Sequence, residues 1–203
     1  PNDASPTLSG NADPGSTISV KIGDQTITTT VGSDGTWSIT VPNNLPDGTY
    51  TPIITATTSQ GGSTTVVGTP FTVDTTVSAT TGGIDAGSDS GVAGDNITNN
   101  TTPTLSGTAE PGAAVSVKIG EETITTTAAS DGTWSVTPTA TLADGSYTPE
   151  TTVTDTAGNT ATTAGTPFTV DTAVSPETTV GLDVNSNSGS TADSITNDTT
   201  PTI

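Results

Sequence analysis

Two stretches of this chain place oxygen-bearing side chains at a spacing that can do chemistry. DVNSNSG, residues 183 to 189, sets Asp183, Asn185 and Asn187 at alternate positions ahead of Gly189, and Asp193 follows. DAGSDSG, residues 85 to 91, repeats the arrangement with Asp85, Asp89 and Gly91, has Gly87 where the other stretch has Asn185, and is followed by Asp95. Alternate side chains in a tight polar loop point into one hollow. A ring of carboxylate, amide and hydroxyl oxygens suits a hard cation, calcium ahead of magnesium, because a flexible loop rarely imposes the tight octahedron that magnesium needs. The spacing departs from a D-x-D-x-D-G calcium loop in two respects. The glycine comes one residue late, and Ser194 stands where a closing glutamate would be. The competing reading is a turn in which Asp, Asn and Ser cap their own backbone.

The rest of the inventory excludes most other chemistry. The 203 residues include two cationic side chains, Lys21 and Lys118, against 21 acidic ones, with no histidine, cysteine or methionine. Without His or Cys there is no imidazole base, no thiol nucleophile and none of the soft ligands that zinc or copper take. A formal charge of −19 repels phosphates and anionic lipid, so neither nucleic acid nor membrane is expected as a partner. No apolar run approaches the ~18 residues that span a bilayer. Glu121 and Glu122 form a carboxylate pair, but in a hairpin turn without an aromatic cleft, and no enzyme is expected.

The elements that must position these loops are legible because the chain repeats itself. PTLSGNADPGSTISVKIGDQTITTTVGSDGTWS from Pro6 returns as PTLSGTAEPGAAVSVKIGEETITTTAASDGTWS from Pro103, and GTPFTVDT recurs at Gly68 and Gly165. A period of about 97 residues is the size of an independent sandwich domain and too long for a solenoid repeat. The expected division is 1–75, a module lacking its first strand; 76–172, a complete module; and 173–203, the first strand, acidic loop and start of a third. Since the chain opens on PNDASPTLSG, in the middle of a repeat, it reads as an excerpt from something longer.

Alternation of Val, Ile and Thr between Gly, Pro and Asp turns predicts seven strands and no helix in the second copy. They are Thr76 to Ile84, Thr101 to Ala109, Val115 to Ile119, Thr123 to Thr127, TWSVT, Tyr147 to Thr154, and a last strand ending at GTPFTVDT. The expected fold is all-β: tandem seven-stranded immunoglobulin-like sandwiches. One Trp, one Tyr and one Phe per copy anchor each core, and LxDGxY (Leu142, Asp144, Gly145, Tyr147) reads as a tyrosine corner. Alternating strand direction puts Asp85, Asp89 and Asp95 at the end where the next copy begins, beside Asp171. Asp155, Asn159 and Glu110 fall at the opposite end, facing the preceding copy and its terminal Asp74. Carboxylates so gathered repel unless a cation or water separates them.

ITNDTTPTI, PTLSGTAEPGA, DGTWS, LADGSYT, VTDTAGNT and PFTVDT together resemble the bacterial immunoglobulin-like repeats of giant, biofilm-associated surface adhesins of the RTX type. The resemblance covers essentially the whole chain. It implies a secreted or surface-held stalk, exported by a type I system, that projects a terminal adhesive domain. Neighbouring copies of the module would be its partners, with host-cell or surface ligands engaged through other domains. It also implies calcium at the module junctions, carried by motif position to Asp85, Asp89, Asp95, Asp183, Asn187 and Asp193. A carbohydrate- or receptor-binding module, or a phage or surface-layer decoration domain, would share the fold.

Overall fold

The computed structural model describes residues 1–78, 82–174 and 199, and among these there is no helix. By its contacts the chain divides into Pro1–Asp171 and Thr172–Ile203. Within the first unit, copy one supplies β1 (Thr7–Asn11), β2 (Thr17–Ile22), β3 (Gln25–Thr30), β4 (Thr36–Thr40), β5 (Gly48–Tyr50), β6 (Ile53–Thr57), β7 (Ser63–Val67) and β8 (Phe71–Val73). Copy two supplies β9 (Gly83–Ile84), β10 (Ile97–Thr98), β11 (Leu105–Thr108), β12 (Ala114–Ile119), β13 (Glu122–Thr127), β14 (Thr133–Val136), β15 (Gly145–Tyr147), β16 (Glu150–Thr154), β17 (Thr160–Ala164) and β18 (Phe168–Val170).

The strand with the cleanest alternation sits where alternation is needed most. In β2 every second side chain, Ile18, Val20 and Ile22, is buried, and in β12 Val115, Val117 and Ile119 are. Each is an inner strand of a four-stranded antiparallel sheet, in the order β3-β2-β6-β7 and β13-β12-β16-β17. Each leads into a two-residue hairpin whose first turn residue is a glycine at positive φ, Gly23 or Gly120, as a II′ turn requires. The facing layer of copy two is built from two smaller sheets, β14-β11-β9 and β10-β18-β15. Between the layers lies a core of Leu105, Val117, Ile119, Trp134, Val153, Phe168 and their neighbours. Copy one repeats this with Ile18, Val20, Ile22, Trp37, Ile39 and Val73. The architecture is therefore all-β, in tandem immunoglobulin-like sandwiches.

The strand boundaries differ from the sequence pattern in an informative way. Tyr147 to Thr154 is not one strand: β15 pairs with β18 in one layer and β16 with β12 and β17 in the other. The chain changes sheets at Pro149, which has no N–H to give a ladder, and does so again at Gly165–Pro167 on its return. From Thr76 to Ile84 only Gly83–Ile84 pairs as a strand among the described residues. The segment Ile97–Thr98, read from sequence as part of a loop, forms a short parallel pair with β18. Among the described residues of copy two, ten paired segments thus stand where seven strands were expected.

Tyr50 and Tyr147 close the same corner in both copies. Each phenol donates to a carbonyl four residues back, Pro46 at 2.8 Å and Ala143 at 2.9 Å. Their rings stack on Phe71 and Phe168 with centroids 6.0 and 5.7 Å apart.

Candidate functional site

The segment that carries the chain from copy one into copy two is held from both sides. From copy one, Asp47 Oδ1 accepts the Thr75 N–H at 3.0 Å and the Thr75 hydroxyl at 2.8 Å. From copy two, Asn159 Nδ2 donates to the Asp74 carbonyl at 2.8 Å and to the Thr76 carbonyl at 3.3 Å. Glu110 Oε1 accepts the Ser78 N–H at 2.8 Å.

Asn159 can reach across because the turn beneath it is rigid. Asp155 is buried, and its Oδ1 collects the N–H groups of Ala157, Gly158 and Asn159 at 2.7 to 2.9 Å while Oδ2 accepts from Asn159 Nδ2 at 2.7 Å. Burial works to raise the Asp155 pKa. The Asn159 side chain and the amides of Asn159, Gly158 and Ala157 outweigh it and hold the carboxyl below its ordinary value. In copy one the same two positions are Thr58 and Gly62, and the turn is closed only on itself, by Thr58 and Gly62 bonding each other.

At the other end of copy two, the acidic loop folds back on itself and on β18. Asp85 Oδ1 accepts the Gly87 N–H at 2.9 Å and Oδ2 the Ser106 hydroxyl at 2.9 Å, and these two bonds, the first the larger, lower its pKa. Asp89 Oδ2 accepts the Gly94 N–H at 2.6 Å, and Asp95 Oδ1 the Ile97 N–H at 2.9 Å. Asn96 then takes a left-handed φ of 60°, tolerable for Asn, which brings β10 alongside β18. There the Asn96 carbonyl accepts from Thr169 at 2.8 Å and the Thr98 carbonyl from Asp171 at 2.9 Å. One oxygen is left over. Asp89 Oδ1 is buried and has no hydrogen-bond partner among the described residues, an expensive condition for a carboxylate in the absence of a cation or water.

Of the residues singled out by sequence, Asp171 lies beside the segment that follows Asp95, its N–H bonding the Thr98 carbonyl, and Asp74 lies at the other end of copy two, where its carbonyl accepts from Asn159. Asp85, Asp89 and Asp95 each cap backbone nearby rather than pointing into one hollow. Among the described residues no three acidic side chains converge as a metal cluster would. Asp183, Asn185, Asn187 and Asp193 lie outside the described residues.

Several polar anchors went unread. Glu122 takes the Thr139 hydroxyl and N–H and the Ala140 N–H, which together depress its pKa, and Gln25 does the same work toward Asn43 in copy one. Asp34 and Asp131, in the SDG turns, each cap the Thr two residues on. Asp47, the copy-one holder of the crossing segment, gave a signal only as part of the DGTY corner. Its long-range role has no local signature.

A sequence model of the bacterial Ig-like domain matches residues 1–75 and 76–172. Among solved structures, the chain is similar to a tetra-tandem repeat from the extending region of a large adhesion protein, with 28% identity over 82% of this chain and 45% of that one and a TM-score of 0.43. It is also similar to a Ca2+-stabilized adhesin with which an Antarctic bacterium reaches out and binds ice, with 29% identity, 84% and 45% covered, and a TM-score of 0.44. A third, a 1.5-MDa bacterial ice-binding adhesin, shows 30% identity, 83% and 58% covered, and a TM-score of 0.45. The chain spans about half the length of these structures. No curated protein matches.

Proposed function

The chain belongs to the bacterial Ig-like domain family, and from that premise we propose that it is a length of extracellular stalk from a bacterial adhesin, whose modules hold an adhesive domain away from the cell. The observation that carries this reading is the fastened crossing between copies. Asp47, Asn159 and Glu110 tie down Asp74 to Ser78 from both sides, so that one sandwich continues into the next with little freedom at the linker. A spacer needs that stiffness, because a freely jointed chain of domains collapses on itself. The aromatic side chains that would make a sugar platform are committed to the cores. Trp37 and Trp134 are 7% and 4% exposed, and each tyrosine is stacked and hydrogen-bonded. This favours the spacer over a carbohydrate-binding module.

Calcium belongs to the same proposal. The loop from Asp85 to Asp95 would hold the ion through Asp89 Oδ1, a buried oxygen without a partner among the described residues, with backbone carbonyls and water filling the six to eight oxygen positions that calcium takes. Asp171 stands at the same end. The ion would supply positive charge to a molecule of formal charge −19 and fix the angle to the following module. In the third copy Asp183, Asn185, Asn187 and Asp193 would form the corresponding loop, with fewer carboxylates and a weaker hold. A low-calcium cytosol would leave the chain extensible for export through a type I system, and external calcium would stiffen it.

Small-angle scattering and thermal unfolding with and without millimolar calcium test both parts. A stalk with calcium-set joints gains length and melts higher with calcium. A stalk without them stays extended and unchanged when calcium is removed, and a compact, flexible particle under both conditions defeats the spacer reading itself.

A further inference from the structure

Each four-stranded sheet ends in a strand that, among the described residues, pairs on one side only. The orders β3-β2-β6-β7 and β13-β12-β16-β17 leave β3 and β13 at the same edge of the two copies. β13 stands there in copy two, where β9 is in place, so the open edge is a property of the module. The hairpin before it decides which groups face outward. Ile22 and Gln25 close the turn at Gly23 as a bonded pair, and the alternation carries this phase through Val20 with Ile27 and Ile18 with Thr29 to the Val31 N–H, which donates to the Ser16 carbonyl at 2.9 Å. The N–H and C=O of Thr26, Thr28 and Thr30 therefore point away from β2. In copy two the same phase ends at the Ala128 N–H, which donates to the Ala113 carbonyl at 2.9 Å, and it turns Thr123, Thr125 and Thr127 outward.

Nothing in this edge discourages a further strand. Edge strands are ordinarily blunted by lysine, proline or a bulge. β3, QTITTT, and β13, ETITTT, have neither residue, and each pairs with its neighbour through six consecutive positions without a bulge. β3 carries no charge. Glu122, the one charge in β13, is folded onto Thr139 and Ala140, and Gln25 onto Asn43, so the free stretches are residues 26–30 and 123–127. Their outward residues are all threonines, and all are exposed. Threonine opposite threonine is also how this fold joins its own neighbouring segments. Thr7 with Thr40, Thr49 with Thr72, Thr55 with Thr65, Thr104 with Thr137 and Thr152 with Thr162 bond hydroxyl to hydroxyl at 2.8 to 3.1 Å.

We propose that β3 and β13 are pairing seams for a second copy of this chain. β3 of one copy lies antiparallel to β13 of the other, with Thr26, Thr28 and Thr30 opposite Thr127, Thr125 and Thr123. Both seams then form in one two-fold dimer, each reinforcing the other, and each four-stranded sheet continues across the boundary. The occupant is this chain because the edge asks for an uncharged, β-branched strand with threonines in register, which β3 and β13 supply to each other. A formal charge of −19 on each copy opposes approach, so added salt strengthens this pairing, where it would weaken one driven by opposite charges. Stalks reaching from two facing surfaces overlap in this antiparallel sense. That consequence rests on the spacer reading; the seam does not, and a dimer of compact particles would separate the two.

The test is sedimentation of the 203-residue chain in chelator at increasing concentration, with amide exchange followed by NMR. The mass should rise toward twice that of one chain by about 1 mM, and further in added salt. Exchange should slow at least about tenfold at the six outward threonines, with no change at the intervening Ile27, Thr29, Ile124 and Thr126, which β2 and β12 already hold. A constant mass, or protection that ignores this alternation, overturns the seam. Thr28→Lys with Thr125→Lys sets ammonium groups opposite each other and should abolish the dimer, whereas Thr28→Lys with Thr125→Glu should restore it. Both positions are exposed, and an unchanged urea midpoint shows that each variant folds. Should either be unfolded, the exchange pattern of the parent chain decides alone. A doubly lysine-substituted chain that still dimerises overturns the seam, and a charge-swapped chain that stays monomeric overturns the register of β3 against β13.

Discussion

Asn159 Nδ2 lies 2.8 Å from the backbone carbonyl of Asp74, 85 positions earlier in the chain. The bond joins a turn of the second sandwich to the last residue of the GTPFTVD segment that ends the first. Asn159 is held in place by Asp155, so the stiffness of the joint depends on a carboxylate whose own hydrogen bonds run to Ala157, Gly158 and Asn159 of its turn.

Replacing Asn159 with Ala removes the bonds to both crossing carbonyls and deprives Asp155 Oδ2 of its donor. The second sandwich should lose about 1–3 kcal/mol, read from urea unfolding. The scattering pair-distance distribution should broaden, because the joint then resembles the self-closed turn of Thr58 and Gly62. A variant that loses stability without broadening would show that Asn159 serves its own turn and not the joint.

The joint should weaken in acid. Asp155 has its carboxyl held below the ordinary 3.8, so it binds fewer protons in the folded than in the unfolded state at mildly acidic pH. Its stabilisation is whole above the ordinary value and is lost as pH falls through that value toward the lower folded one. Asp34, Asp85, Asp131 and Glu122 are depressed in the same direction and contribute to the same loss. Urea titrations between pH 6 and pH 2 should show stability falling below about pH 4, with a shallower fall in Asp155→Asn.

Asp89→Asn separates the two roles of that side chain. The amide oxygen can still accept the Gly94 N–H, but the negative charge at the unpartnered oxygen is gone. Calcium at 100 times its dissociation constant should stabilise the parent chain by about 2.7 kcal/mol. The variant should lose most of that gain while matching or exceeding the parent in chelator, since burying a neutral amide costs less than burying a lone charge. Calcorimetric titration of both proteins decides it.

Tyr50→Phe and Tyr147→Phe each delete one phenol-to-carbonyl bond and leave the stacked rings in place. Each should cost its own sandwich about 1 kcal/mol. Equal losses, seen as equal shifts in the urea midpoints of the two modules, would establish the corner as a repeated structural device. A loss confined to one copy would contradict that.

Much of this fold can be read from residues alone because its determinants are local. Val115, Val117 and Ile119 alternate on a pleat of period two, glycine at Gly23 and Gly120 marks hairpins, and repetition shows where a module recurs. Chemical exclusion is equally local, since a chain without histidine or cysteine lacks those nucleophiles and bases wherever it folds. The acidic loops could be found by spacing, but not what their oxygens would meet. Asp85 is answered by Ser106, 21 positions away, and Asp89 Oδ1 by no group among the described residues, and only the packing of β9 against β11 and of β10 against β18 decides that. The same holds for the joint. Asp47, Glu110 and Asn159 are ordinary polar turn residues in sequence, and they become its fasteners because two sandwiches, each stable through its own core, bring them onto one short crossing segment.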